Sequence, residues 1–284
     1  MDDQRAFVSA RGSFANPNST LGLVAAIDKT TLVRTDLATG QRSPIAITLL
    51  QGLVVFQASG DGHLWTVQPS GAGLKDNGVV AANNPISDMV GAGDALVWLL
   101  VQGQVQRAAP GQPPMPLGQV AAGGGRMAIA NGVVAFAGQQ GQTGAFYSVT
   151  LGAPQIKTLG SNLKGALGVA VVGTTGYVTE PQGGAIHRAP LDGSKSLETI
   201  VTGQSFPWAL TTDGKKLYWV DHGSNDITVC PPGALFRADL DGKNVTKLTD
   251  VPCPAALAVD ALSVYVVSHG TEASSDGFVA RIGK

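Results

Sequence analysis

Leu217-Tyr218-Trp219-Val220-Asp221, followed after a polar loop by Ala234-Leu235-Phe236-Arg237-Ala238-Asp239-Leu240-Asp241-Gly242, is the stretch whose reading decides the fold. Both runs are short, rich in β-branched, aromatic and aliphatic residues, and bounded by turn formers, as strands are. Upstream, Pro207 to Thr212 makes another apolar run and closes on Asp213-Gly214-Lys215. Downstream, Val245 to Leu248 follows the turn at Asp241-Gly242. Four short runs with turn chemistry between them make one antiparallel four-stranded sheet.

The same frame recurs. Gly165 to Val172, Tyr177-Val178-Thr179-Glu180 and Ala185 to Gly193 precede it, and Ala255 to Asp260, Val264 to Val267 and Gly277 to Arg281 follow. Weaker copies centre on Val134, Val97, Val54 and Val24. Recurrence at about 40 residues is the mark of propeller blades. The reading is an all-β propeller of seven four-stranded blades, a single domain over residues 1–284. The step from Val24 to Val54 is short for a blade, which keeps six blades with an irregular leading segment as the alternative. The last unit lacks a fourth strand and Ala6-Phe7-Val8-Ser9 is spare, so pairing of these two is expected to close the ring and hide its edges. Sustained helical periodicity is missing, which argues against βαβ units.

Composition narrows the function classes. The chain has 38 glycines and 16 prolines in 284 residues, without the period of three that marks collagen. Hydrophobic residues make up 44 %, too many for a disordered chain. Only 14 % of residues are charged and the net charge is −1, so no nucleic-acid partner is expected. Ala95 to Val101 is among the longest apolar runs, far short of a membrane span. Met1-Asp2-Asp3-Gln4-Arg5 is polar and carries no export-signal core.

With the repeat in view, Leu217 to Asp221 and Ala234 to Gly242 resemble the YWTD repeat of low-density-lipoprotein-receptor-type propellers and its bacterial relatives. The match is good over one blade, fair at Tyr177 and Tyr265, and poor before residue 120. The resemblance implies the propeller fold and no particular activity, because propellers host enzymes, binding modules and scaffolds alike.

Alternate loops of a blade lie on opposite faces, and ligands bind in the mouths of closed β structures. The loops between second and third strands are therefore the candidate rim. They hold His63, Glu180, Asp221, His222, Asp226, His269 and Glu272. Should the chain be an enzyme, His222, His269, Asp221 and Glu272 are its candidate catalytic residues, with a divalent metal as the one cofactor to consider. No His-x-x-x-His spacing is present, and polar turn residues collect on such rims for structural reasons, so no metal and no cofactor is expected. Phe206 and Trp208 lead into a blade and are candidates for stacking on a ligand, together with His63, Glu180 and Asp226 as polar contacts. Packing between blades is the plainer role for Trp208. Trp98, Trp219, Tyr218 and Tyr265 lie on second strands and are expected in the core.

Virginiamycin-B-lyase-like propellers carry a histidine beside a blade-leading proline. The similar positions here are Pro207-Trp208 and Pro254-Ala255, and neither Trp208 nor Ala255 transfers protons. No Gly-x-Ser-x-Gly elbow occurs, and Gly123-Gly124-Gly125 lacks the lysine of a phosphate loop and reads as a blade connection. The glycosylation triplets Asn18-Ser19-Thr20 and Asn244-Val245-Thr246 are common by chance and carry no weight. Cys230 and Cys253 are the only cysteines, each flanked by proline, in a long loop and in the next blade connection. Their expected disulfide implies an oxidising compartment: periplasmic, cell-surface or secreted. The expected function is a non-catalytic extracytoplasmic binding or interaction propeller with a protein, peptide or carbohydrate ligand at its rim. The alternative is a propeller hydrolase or lyase using the rim histidines and carboxylates.

Overall fold

Apolar runs cut by tight turns build strands and nothing else. Among the described residues the computed structural model contains 26 strands and no helix, so none long and apolar enough to cross a membrane. The structure describes residues 1–12, 19–80, 84–109, 111–224, 226, 229–270 and 277–284. Hairpin turns such as Gln51-Gly52 and Asn131-Gly132 hold both central residues at positive φ (49° and 77°, 51° and 73°), the twist that matches flanking strands.

The strands form seven sheets, the blades of an all-β propeller. By contacts the chain divides into two compact units, Met1–Gly124 and Gly125–Lys284. In the first unit, blade one is β1 (Arg5–Ala10), β2 (Gly22–Asp28) and β3 (Arg34–Gln41). Blade two is β4 (Pro44–Leu50), β5 (Leu53–Ala58), β6 (His63–Val67) and β7 (Lys75–Val79). Blade three is β8 (Ile86–Ala92), β9 (Ala95–Leu100), β10 (Gln104–Ala108) and β11 (Met115–Gln119). In the second unit, blade four is β12 (Met127–Ala130), β13 (Val133–Gln140), β14 (Thr143–Thr150) and β15 (Ala153–Leu163). Blade five is β16 (Val169–Val172), β17 (Thr175–Glu180), β18 (Ala185–Pro190) and β19 (Glu198–Val201). Blade six is β20 (Pro207–Thr212), β21 (Lys216–Asp221), β22 (Pro232–Asp239) and β23 (Thr246–Pro252). Blade seven is β24 (Pro254–Val259), β25 (Ser263–Ser268) and β26 (Phe278–Gly283).

The first blade corrects the sequence reading. β1 pairs antiparallel with β2, from Arg5↔Asp28 to Ala10↔Leu23, and β26 pairs with β25, so the expected closing partnership is not the one β1 makes. Its equivalences show why. The Ser9 hydroxyl donates to the carbonyl of Ile45, one residue past Pro44, as Thr179 of the second strand β17 donates to Trp208, one past Pro207. Gly22 abuts Pro44 as Gly233, on the third strand β22, abuts Pro254. β1, β2 and β3 are therefore second, third and fourth strands, and Val24 belongs to a third strand. The short step from Val24 to Val54 mixes two strand positions and removes no blade.

Blades are apolar on both faces because each is held between neighbours, so their second strands read as continuous rather than alternating runs. In β21, Leu217 and Trp219 pack toward blade five with Tyr177 and Ile186, while Tyr218 and Val220 pack toward blade seven with Val264 and Val266. In the first unit, Trp98 with Leu96 and Leu100 packs on Ala46, Leu50 and Val55. Burial of each such side chain contributes about 1.5–3 kcal/mol. The tyrosine hydroxyls stay satisfied: Tyr218 donates to Asp213 at 3.1 Å and Tyr265 to Asp260 at 3.0 Å. Burial and then the Asp213 carboxylate push Tyr218 up to about 12. Asp213 itself is held well below the carboxylate range. Burial pushes it upward, but the Lys284 ammonium at 2.7 Å and the Lys215 and Lys216 amides outweigh that push.

Candidate functional site

The segment leading into an inner strand turns through a left-handed residue. Phe206 (φ 67°), Cys253 (φ 49°) and Ser43 (φ 53°) each precede a proline: Pro207, Pro254 and Pro44. Proline disfavours the right-handed helical region for the residue before it, and a bulky side chain at positive φ costs of order 1–3 kcal/mol. The neighbouring second-strand end holds this segment in place. Asp221 Oδ2 accepts from the Ser205 amide at 2.7 Å, and Glu180 Oε1 accepts from the Lys164 amide at 2.7 Å. Ser268 and Ser59 donate to the carbonyls of Pro252 and Ser43 at 2.8 and 2.9 Å. In blades five, six and seven one polar side chain at the same repeat position does this job; in blade two that position is Ala58, and Ser59, one place further on, does it instead.

His222 and His269 follow that position in blades six and seven. Their amides donate to the carbonyls of the left-handed residues Phe206 and Cys253, each at 3.0 Å. Equivalent anchoring in adjacent blades brings the rings together, Nε2 to Nε2 at 3.3 Å. The ring centres are 5.6 Å apart, little more than that gap plus a ring radius at each end, so the nitrogens point at each other along one line. This is the geometry of an N–H···N hydrogen bond. His222 Nδ1 lies 2.8 Å from the Ser224 carbonyl, which only accepts, so Nδ1 carries a hydrogen and Nε2 of the neutral ring is the acceptor. His222 is 1 % exposed, and both of its ring nitrogens are engaged. Trp208 packs against it at 5.4 Å, and Phe206 stacks on Trp208 at 5.8 Å, completing a four-ring row from Phe206 to His269.

Next to His222, Asp221 is buried, and its Oδ1 has no hydrogen-bond partner among the described residues. Burial pushes its carboxyl up to about 6, against the opposing pull of the Ser205 amide. The adjacent Trp219 indole donates to Gln204 Oε1 at 3.1 Å.

Beside Phe206 a shallow, open groove of about 460 Å³ lies between blades five and six, both in the second unit. Gln182, Gln204, Ser205, Phe206 and Ser224 line it with glycine and proline backbone, and no charged residue does among the described residues. The walls are close-fitting: a Cβ on Gly184 would meet the Gln204 carbonyl, and one on Gly223 the Pro232 carbonyl.

The other candidates are distributed. His63, in the first unit, pairs through Nδ1 with Asp76 at 2.7 Å and stacks on Trp65. The Asp226 amide donates to the Ser224 hydroxyl. Glu272 lies outside the described residues. Trp208 is half-buried against the core of blades six and seven. Cys230 and Cys253 are joined by a disulfide. Among the described residues no group of three His, Cys, Asp or Glu side chains is arranged around a metal position. His187, the fourth histidine, was passed over in the sequence. It is buried on β18, with Nε2 on Glu180 at 2.7 Å and Nδ1 on the Thr199 hydroxyl at 3.0 Å. Glu180 is thus committed to blade five at both oxygens. Strict alignment of the blades would have exposed this, because Glu180 and Asp221 then share one repeat position.

No family model matches the chain, and no curated protein does. Solved structures do. Virginiamycin B lyase from Staphylococcus aureus is similar with a TM-score of 0.70 and 12% identity, over 99% of this chain and 99% of that one. A streptogramin B lyase is similar with a TM-score of 0.70 and 11% identity, over 93% and 94%. A structure of a nidogen/laminin complex is similar with a TM-score of 0.62 and 11% identity, over 87% and 92%. At such identities the likeness establishes the fold alone. That fold is shared by a binding protein and by lyases.

Proposed function

We propose that the chain is a non-catalytic binding propeller of YWTD type, one domain, acting outside the cytoplasm. On this reading the groove beside Phe206 holds a neutral polar segment of a protein, peptide or carbohydrate. The observation that carries it is the pairing of an uncharged, aromatic-flanked groove with neighbouring histidines that satisfy each other. A general base must reach a substrate proton, and His222 is buried with both nitrogens taken. Amides, hydroxyls and an aromatic edge are the groups that hold uncharged polar ligands. The disulfide supports an oxidising location.

The test is to screen the purified protein on peptide and glycan arrays and to measure hits by calorimetry with Phe206→Ala and Gln182→Ala. The reading expects at least a tenfold loss of affinity in both variants. Unchanged affinity for every hit would remove the groove from the proposal.

A lyase reading has the likeness to two lyases behind it. It expects turnover of virginiamycin B that disappears in His222→Ala and His269→Ala. The residues after the blade-leading prolines, Trp208 and Ala255, weigh against it.

A further inference from the structure

One position in the blades carries a histidine that packing does not require. Where a third strand meets its fourth the register slips, and one third-strand residue stands just past the slip. In blades two, three, four and six it is Trp65, Gln106, Tyr147 and Phe236, facing Asp76, Pro116, Thr158 and Lys247. In blade five it is His187, facing Thr199. The fold thus accepts aromatic and amide side chains at this place, and an imidazole there adds chemistry rather than bulk.

That imidazole joins two partners. Nε2 lies 2.7 Å from Glu180 Oε2 and Nδ1 lies 3.0 Å from the Thr199 hydroxyl. A nucleophile, its base and the group that orients the base stand at such distances. Glu180 is fixed in place. Its Oε1 accepts from the Lys164 amide at 2.7 Å, and the chain closes over it so tightly that a Cβ on Gly183 would meet its carboxyl carbon. A carboxylate only accepts, so in the neutral ring Nε2 carries the hydrogen and Nδ1 is left to accept from the Thr199 hydroxyl. His187 is 6 % exposed whereas Thr199 is exposed, which hides the base and presents the hydroxyl.

We propose that Thr199 is an acyl-acceptor site, its hydroxyl activated by His187 and the imidazole oriented by Glu180. The donor is a neutral ester or thioester. Glu180 behind the imidazole repels an anionic phosphoryl group, and the nearby Arg188 is paired with Glu198 at 2.9 Å. Thr199 Oγ1 bonds to the acyl carbon as its hydrogen passes to His187 Nδ1. The bond from that carbon to the donor's oxygen or sulfur then breaks, and the alcohol or thiol leaves with the hydrogen. The product is an ester on the chain. This site and the groove beside Phe206 are independent, and neither needs the other.

The probe is p-nitrophenyl acetate, added to the intact, oxidised protein and followed by peptide mapping. Hydroxylamine cleavage tells an ester on threonine from an amide on lysine. Thr158 is the control, exposed at the same place in blade four but facing Tyr147, whose hydroxyl donates to the Gln139 carbonyl at 2.9 Å. Acetyl is expected on Thr199 on the order of a hundredfold faster than on Thr158, the low end of what a positioned base contributes. His187→Gln, which copies blade three, and Glu180→Gln should each bring Thr199 down toward the Thr158 rate, with folding checked by circular dichroism. Thr199→Ser should keep the reaction. Two results overturn the proposal. One is acetylation of Thr199 no faster than of Thr158. The other is a fast reaction at Thr199 that persists unchanged in folded His187→Gln or Glu180→Gln.

Discussion

Replacing Asp221 by Asn removes one negative charge from a place where water does not reach it and leaves the rest nearly intact. The asparagine oxygen can still accept the Ser205 amide that Asp221 now accepts at 2.7 Å. The carboxyl is raised by burial from 3.8 to about 6, so the folded chain holds this proton more tightly than the unfolded chain does. Stability is therefore fully present below about pH 4 and is lost as pH rises through about 6, then levels off. A shift of about 2 units corresponds to about 3 kcal/mol at most, which relaxation of the loop reduces to about 1–3 kcal/mol. Asp221→Asn should match the parent at pH 4 and exceed it by that amount at pH 8. The assay is urea unfolding of both oxidised proteins at intervals from pH 4 to 8, with m-values compared to confirm that the unfolded states match. An asparagine variant less stable than the parent at pH 8 would refute the reasoning, because the ionised carboxylate would then be a net stabiliser.

The remaining predictions touch other parts of the second unit. Reducing the Cys230–Cys253 disulfide, which spans a sequence separation of 23, should cost about 3 kcal/mol in thermal or urea unfolding under non-oxidising conditions. Trp219→Ala empties the seam between blades five and six and should cost about 3–5 kcal/mol by the same measurement. Tyr218→Phe removes one hydroxyl donor to Asp213 and should cost about 1 kcal/mol, with Tyr265→Phe giving a similar figure at Asp260. Nitrogen-15 spectra of the imidazoles at pH 8 should show hydrogens on His222 Nδ1 and His269 Nε2 and none on His222 Nε2. A hydrogen on His222 Nε2 contradicts the bond described.

Much of the architecture was legible because propeller blades announce themselves locally. Asp213-Gly214 and Asp241-Gly242 mark turns, and Leu217 to Val220 is apolar on both faces, as only a strand held between two sheets is. The disulfide followed from two prolines and a turn count. The first blade was misread because Val24 and Val54 look alike in composition while occupying third and second strands, and only tertiary contacts such as Ser9 to Ile45 separate them. The site was legible in part. His222 and His269 were selected as a pair, but their mutual bond depends on backbone anchors to Phe206 and Cys253 that no side-chain pattern records. Glu180 and Asp221 looked like chemistry because carboxylates at strand ends do; their partners are main-chain amides and a buried histidine.

The disulfide also decides how the chain bears load. A pull on Lys284 acts along β26, β25 and β24, antiparallel strands whose bonds open one after another like a zip. First the Lys284–Asp213 clasp must part, and then blade seven can peel away. Extension stops at Cys253, after about 10 nm of released chain, because there the tension passes through sulfur to Cys230 and bypasses β22 and β23. Blade seven is thus the length that such a pull releases, while β22 and β23 stay out of the line of force.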